Sequence, residues 1–401
     1  MLHGKKPKDI RLHNMRSILS FIRKKDSFTY KDVAEGVGIS KTTIIKFIDV
    51  LKNNGMVVEI GKGESTAEGG RCPDLFTYNE SYGYLVSLSV DGDYIGCALM
   101  DMKCNILHYT EQLYDEEQPY ETIIRKSAET AHGLLDSAQI LVSKIMAIVI
   151  SSSGIIDARN GIISVPYAKK WESKRRIVED LGSYFPPEIA VYLDNVSRFA
   201  GYAELGEDNT LFDKCVATLY MYDELGGAII QEGHFITGKH GVVGEFSHMS
   251  IPELVIRGKK CQWTEVLKTE GLGRIIEDLH DQYSSLSNLY DNDQLDFETL
   301  FQAAEKGDSL ANLYIDKIGE IIGGLLTNIC LVYDPDCYII QGVYQAWGDR
   351  LSKVIYEKFV NQLSRYEFSD VDIQFSKIPF KQSIHLGAGL YAVNNLMQDL
   401  E

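Results

Sequence analysis

Ser40, Lys41, Thr42, Thr43 and Lys46 crowd into one short stretch of the chain. Hydroxyls and lysines at that spacing are the groups that reach base edges and phosphate oxygens when a helix lies in a major groove. Further along, Gly69 and Gly70 let a backbone approach DNA closely, and Arg71 suits a narrow minor groove. The bland alternative is a basic face that is merely solvated, or a helix pair used only for protein contacts. Agreement between helix spacing, a Gly-Gly-Arg tip and local charge favours DNA.

Two upstream helices are needed to place such a reading helix. Met15, Ile18, Leu19 and Ile22 recur at helical spacing and predict one apolar face. Tyr30, Val33, Ala34 and Val37 repeat it after Thr29, an N-cap, in a helix that Gly36 and Gly38 break. Ser40 caps the third helix, SKTTIIKFIDVLKNNG. There Ile44, Phe47, Ile48 and Leu51 turn inward and leave Lys41, Thr42, Thr43 and Lys46 outward. Asn53, Asn54 and Gly55 end it. MVVEI reads as a strand, GKGESTAEGG as a turn-rich tip and LFTYN as the returning strand, so residues 1–79 are expected to form a winged helix-turn-helix.

The 401-residue chain carries a formal charge of −17, which taken whole would repel nucleic acid. The charge is segregated: residues 1–75 hold 14 Lys and Arg against 9 Asp and Glu, and the remainder carries −22. A basic head on an acidic body points to a head that meets double-stranded DNA and a body that senses, catalyses or oligomerises. The length excludes one small module, and 45% apolar with 24% charged residues excludes a disordered or collagen-like chain. No run approaches the ~18 consecutive apolar residues of a membrane helix, and MLHGKKPKDIRLHN lacks a secretory core. No membrane partner and a cytoplasmic location are therefore expected. Cys72, Cys97, Cys104, Cys215, Cys261, Cys330 and Cys337 are odd in number and form no CxxC pair, which predicts that most are reduced fillers of apolar sites.

The head followed by GGRCPDLFTYN and YLVSLSVDGDYIGCALMDMKCNIL resembles the repressor branch of the ROK family (repressor, open reading frame, kinase), which also holds bacterial glucokinases. SSSGIID with Trp171 downstream, LDNVSRFAGYAE, GGAIIQEGHFITGKHGVVGEFSHM, YDPDCYIIQGV and LGAGLYAV extend the resemblance over nearly the whole chain. Its most specific part is the GxxGxxGExxH run of Gly238, Gly241, Gly244, Glu245 and His248. The resemblance implies two actin-like lobes, each a ribonuclease-H-like sheet flanked by helices, with a sugar cleft between them. The first lobe would span about 80–195 plus a C-terminal helix about 385–401, and the second about 196–384. The residue pattern of 80–401 independently reads as α/β: short apolar runs such as KIMAIVIS and CYIIQGV alternate with helical ones such as LANLYIDKIGEIIGGLLTNICLVY.

Phosphoryl transfer needs backbone amides that cradle phosphate and a carboxylate that takes the sugar proton. Where the family kinases carry DxGxT, this chain has Ser89, Val90, Asp91, Gly92 and Asp93, so carboxylates stand where phosphate would come. Where they carry GTGIGGG it has Tyr222, Asp223, Glu224, Leu225, Gly226, Gly227 and Ala228. Anchoring the family END segment on Asn195 and Glu204 puts Val196 at the catalytic Asp, and a register two residues away would offer Asp194 instead. A valine accepts no proton, so no catalytic residue and no enzymatic activity are expected.

The resemblance implies that sugar hydroxyls are held by Asn195, Glu245, His248 and Glu265, with Ser153 and Gly154 lining the cleft where the family has Pro-Gly. Planar amides and carboxylates suit vicinal hydroxyls because each can form paired hydrogen bonds. The family zinc site, His plus three cysteines in CxCGxxGCxE, is replaced by RGKKCQWTEV, which leaves Cys261 out of register. No metal or other cofactor is expected, and Trp263 is the candidate for ordering that loop. The expected function is a sugar-responsive regulator of carbohydrate-related genes, a repressor, binding a roughly palindromic operator as a homodimer or higher homo-oligomer, with a sugar or sugar-phosphate effector. The alternatives are an active sugar kinase with an appended DNA-binding head, or a constitutive DNA-binding protein with a vestigial cleft.

Overall fold

The computed structural model describes residues 7–397 apart from 64–71, 92, 116, 169, 223, 224, 251–253, 257, 268, 280–284, 293 and 367–370. Two compact units emerge, one built from the chain up to Phe199 together with His385 onward, the other from Ala200–Ile384.

The first unit opens with α1 (Pro7–Arg23), α2 (Tyr30–Val37) and α3 (Lys41–Asn53), then a hairpin of β1 (Val57–Lys62) and β2 (Asp74–Tyr78). The expected apolar faces close on one another: Ile18, Leu19, Ile22, Val33, Ile44, Ile48 and Leu51 are fully buried. Each such side chain contributes about 1.5–3 kcal/mol of burial. Thr29 caps α2 through a reciprocal capping box with Asp32, and Ser40 caps α3. Gly38, in the left-handed region, ends α2. Gly36 does not break the helix as the sequence predicts. It lies within α2, where the Phe21 ring of α1 packs so near its backbone that a Cβ would come within 2.0 Å. The wing pairs antiparallel from Val57↔Tyr78 to Lys62↔Asp74, and Phe28 bridges to Phe76 to add a third short strand.

The same unit continues with β3 (Tyr84–Val90), β4 (Tyr94–Asp101), β5 (Ile106–Leu113), α4 (Tyr120–Ser137), β6 (Ile145–Ser152), β7 (Gly154–Asp157), β8 (Ile162–Pro166), α5 (Ile177–Gly182), β9 (Ala190–Asn195) and the first turn of α6 (Val196–Glu207), which runs on into the second unit from Ala200. Its sheet runs β5-β4-β3-β6-β9, with β3, β4 and β5 antiparallel and β6 and β9 parallel to β3. Side chains alternate across each strand. Val86 and Leu88 of β3 pack in the cluster that holds Ile123, Ile124 and Ala128 of α4, while Ser87 between them meets the C-terminal helix (Phe380–Leu396). The Tyr391 ring of that helix packs edge-on against Tyr192 and Phe199.

The second unit contains β10 (Cys215–Met221), β11 (Leu225–Gln231), β12 (His234–Phe235), β13 (Leu254–Ile256), β14 (Lys259–Cys261), α7 (Trp263–Val266), α8 (Thr269–Leu279), α9 (Ser285–Asp291), α10 (Phe297–Glu305), α11 (Ser309–Tyr333), β15 (Cys337–Gly342), α12 (Gly348–Gln362) and β16 (Ile373–Phe375). Its sheet, β12-β11-β10-β15-β16, repeats the topology of the first: an antiparallel three-strand meander followed by two parallel strands. α11 is capped by Asp308, whose carboxylate accepts the Leu310 and Ala311 amides, and it buries Ile315, Ile318, Ile322 and Leu325. Two α/β sheets of one topology, following a winged helix-turn-helix in the chain, are the fold class that the sequence predicts.

Candidate nucleic-acid interface and ligand-binding residues

In the head, the Thr43 N–H donates to Ser40 Oγ (3.3 Å) and the two hydroxyls lie 2.9 Å apart, so both side chains hold the start of α3. Lys41, Thr42 and Lys46 stay exposed on the same turns. Lys31, Lys52 and Lys62 are neutralised by Glu35, Glu59 and Asp74. Lys41 and Lys46 have no ion-pair partner among the described residues, so the unneutralised charge of α3 gathers near its N-terminal half. The positive end of the helix dipole adds to it. Gly69, Gly70 and Arg71 lie outside the described residues; in sequence they fall between β1 and β2.

Three candidate ligand residues of the first unit come together where parallel strands end. Ser153 follows β6, and its N–H donates to Asp91 Oδ1 (2.8 Å) just beyond β3. Gly154 begins β7 at φ +99, and a Cβ there would lie 2.3 Å from the Val165 carbonyl oxygen, so only glycine fits. Its carbonyl accepts from Asn195 Nδ2 (2.9 Å), while Asn195 Oδ1 accepts the Ser197 N–H (2.8 Å) and hydroxyl (2.7 Å). The Asn195 amide is thus largely committed to holding its surroundings, with one N–H beyond these bonds.

Beside it, β9 turns into α6 at Val196, where no carboxylate is present. Asp194 is buried and accepts from Arg198 Nη1 at 2.7 Å and from the Asn195 N–H at 2.8 Å. Burial pushes its carboxyl above the usual range, and the guanidinium pulls it back. One carboxylate oxygen, Oδ1, is thus held by both the guanidinium and the backbone N–H. Asp91 was legible only as a charge standing in a phosphate loop; in the structure it faces the Ser152–Ser153 turn, and burial raises its carboxyl to about 6.

In the second unit the glycine-rich run folds back on β11. Gly244, at φ +102, packs so near Gly227 that a Cβ would come 2.3 Å from the Gly227 carbonyl oxygen, immediately before Glu245. The His248 N–H donates to the Glu245 carbonyl (3.1 Å); Glu245 is half-buried and His248 exposed. Glu265 lies in α7, with its side chain outside the described residues, as are Asp223 and Glu224. Glu204, an anchor of register in the sequence, is buried and accepts from Gln341 Nε2 (2.6 Å) and Ser376 Oγ (2.5 Å). Burial raises its carboxyl.

Zinc does not fit the residues present. Cys261 Sγ donates to the Lys259 carbonyl (3.6 Å) at the end of a hairpin strand that carries Lys259 and Lys260. Among the described residues no group of three or more His, Cys, Asp or Glu is arranged to hold a metal. Trp263 and Cys261 pack instead against the apolar core of the unit. Among the described residues no helix is long and apolar enough to cross a membrane.

A family profile described as "ROK family" matches residues 85–389, and one described as "Winged helix-turn-helix DNA-binding" matches residues 11–58. The chain is 23% identical over 380 residues to a xylose repressor of Caldicellulosiruptor bescii, covering 91% of each. It is 23% identical to the DNA-binding transcriptional dual regulator NagC of Escherichia coli, covering 77% of this chain and 75% of NagC. Among solved structures, a ROK family transcriptional regulator described as a homolog of the E. coli MLC protein aligns with a TM-score of 0.73 at 18% identity, covering 97% of this chain and 98% of that one. A ROK family glucokinase from Streptomyces griseus with glucose and AMPPNP aligns at 0.61 and 18% identity, covering 77% and 98%. These two likenesses concern the fold.

Proposed function

The chain belongs to the ROK family, and from that premise we propose that it is a DNA-binding transcriptional regulator, a repressor of carbohydrate-related genes, that senses a sugar or sugar derivative and transfers no phosphate. The observation that carries this reading is a pairing of features within one unit. A winged head with Lys41 and Lys46 unneutralised on α3 is joined to a ROK lobe whose base position is Val196 and whose adjacent carboxylate, Asp194, is held by Arg198 at 2.7 Å. Names of relatives at 23% identity, xylose repressor and NagC, support the same class.

In this reading the protein acts in the cytoplasm as a homodimer or higher homo-oligomer, its paired heads reading a roughly palindromic operator. Lys41, Thr42 and Lys46, with Arg71 at the wing, contact DNA; Ser40 and Thr43 hold the helix that presents them. The effector is a polyol or its phosphate, with Ser153, Gly154, Asn195, Glu245, His248 and Glu265 as its proposed binding residues. It lowers DNA affinity by its differential affinity for the free and DNA-bound forms.

The test is selection of DNA fragments by the full chain from random-sequence duplexes, followed by competition with D-xylose, D-glucose, N-acetyl-D-glucosamine and their phosphates. Enrichment of an inverted repeat that one of these ligands releases is the expected result. Sequence-indifferent binding, or sugar-dependent ADP release from ATP at ordinary turnover, would overturn it.

A further inference from the structure

The first phosphate loop of a kinase offers backbone amides to an anion; here a carboxylate occupies that turn and faces protein. We propose that Asp91 is the positioning residue of the effector site: it fixes the Ser153–Gly154 turn and, through Gly154, the Asn195 amide, in the arrangement that meets a polyol. This rests on the reading of Ser153, Gly154 and Asn195 as effector-binding residues.

The geometry is a continuous chain of hydrogen bonds across the carboxyl ends of three neighbouring strands, where α/β sheets hold their ligands. It starts beyond β3, where the Asp91 N–H donates to the Tyr94 carbonyl (2.9 Å) and closes the β3–β4 turn. Asp91 Oδ1 accepts the Ser153 N–H at 2.8 Å, and Oδ2 lies 3.4 Å from the Ser153 hydroxyl. The Ser152 hydroxyl donates to the Val90 carbonyl (2.7 Å), which fixes the end of β6 to the end of β3. At Gly154 the link passes to Asn195 Nδ2, and at Asn195 Oδ1 to Ser197 at the start of α6. Asp91 and Ser153 are 62 residues apart, and the Asp91 carboxylate is the one charged member of this chain. A charge-assisted bond is stronger than a neutral one, so the carboxylate is the strongest anchor of the turn.

The groups around Asp91 set how the clamp responds to acid. Asp93, on the same turn, repels its negative charge and adds to the effect of burial. The β6–β7 turn presents the Ser153 amide and the Ser152 and Ser153 hydroxyls, which favour the ionised form. On the β9 side the Asp194 carboxylate is closed on Arg198. Protonation of Asp91 as the pH falls through about 6 exchanges the charge-assisted acceptor for a neutral one and relieves the cost of burying the charge.

The test measures hydrogen exchange in the full-length chain at pH 7.5 for peptides spanning 150–158, in wild type, Asp91→Ala and Asp91→Asn. The same three proteins are titrated with D-xylose, D-glucose and N-acetyl-D-glucosamine from pH 5 to 7.5. Asp91→Ala is expected to speed exchange in this turn about tenfold while α1–α3 keep wild-type protection. The affinity for whichever sugar binds wild type should fall by a similar factor. Below about pH 6, where Asp91 is protonated, wild-type affinity should converge on that of Asp91→Asn, whose own profile should be flatter, which loss of folding alone would not do. Unchanged exchange in Asp91→Ala, with sugar binding intact, overturns the positioning role and leaves the effector reading standing. Failure of every sugar to bind wild type overturns the effector reading and the role that rests on it.

Discussion

The hydroxyl of Ser87 lies 2.8 Å from Nδ1 of His385, a bond that joins residues 298 positions apart and locks the C-terminal helix onto the middle strand of the first sheet. The imidazole is 1% exposed, and the Tyr109 ring meets it edge-on at 5.4 Å. Burial lowers its pKa to about 4, so it is neutral in the folded chain at neutral pH.

This gives a signed pH dependence. Between about 4 and the unperturbed value near 6.5 the unfolded chain binds a proton that the folded chain does not, so stability falls as pH drops through that window, by about 3 kcal/mol in full. Asp91, raised to about 6, acts in the opposite sense over part of the range. Comparison with His385→Gln isolates the histidine: urea unfolding of the variant at pH 7.5 and 4.5 should show less acid destabilisation than wild type. Equal acid sensitivity in both proteins would contradict a neutral buried imidazole.

Arg198→Leu leaves Asp194 buried without its guanidinium and is expected to cost about 3–5 kcal/mol, while the double replacement Asp194→Leu with Arg198→Leu costs much less. Thermal unfolding of the three proteins measures the difference. A double variant no better than the single would mean that the pair does not act as a unit.

Gly244→Ala places a Cβ 2.3 Å from the Gly227 carbonyl in a backbone conformation that disfavours side chains. A loss of about 1–3 kcal/mol is expected. Displacement of Glu245 and His248 should abolish release of DNA by sugar while the head still binds. Glu245→Gln and His248→Ala should reproduce the lost response without the lost stability, as melting curves and operator binding with and without sugar will report.

Lys46→Ala is expected to weaken operator binding and lower the slope of log K against log salt by about 1. Arg71→Ala should act mainly on A·T-rich flanks of the site, through the minor groove. Fluorescence anisotropy across a salt series separates the two. Wild-type affinity in both variants would remove α3 and the wing from the DNA.

A coupled assay for ADP should find no sugar-dependent turnover in wild type, nor in Val196→Asp, because Asp91 still fills the phosphate turn. Ordinary turnover, on the order of 1 per second or faster, would refute the loss of catalysis.

The head was legible in the sequence because its determinants are local: apolar residues at Ile44, Phe47, Ile48 and Leu51, and caps at Thr29 and Ser40 whose partners lie three residues on. Gly36 was misread because its reason, the Phe21 ring, comes from another helix. Asn195 and the Gly244, Glu245, His248 run were legible through resemblance, but their supports were not. Asp91 meets Ser153 across 62 residues, and Gly244 owes its identity to Gly227 on a neighbouring strand. Asp194 and Arg198 are four residues apart, yet the carboxylate lies in a strand and the arginine in a helix, so helical pairing rules would not have joined them.

The return of the C-terminal helix bears on how the chain is made. A ribosome releases Leu390 and Val393, both buried in the first unit, only after the contiguous Ala200–Ile384 segment has emerged. The later-synthesised unit can therefore close first, while the sheet behind the head waits with one face bare. Removing this helix would leave the winged head's own helices and hairpin intact and uncover one face of the first sheet.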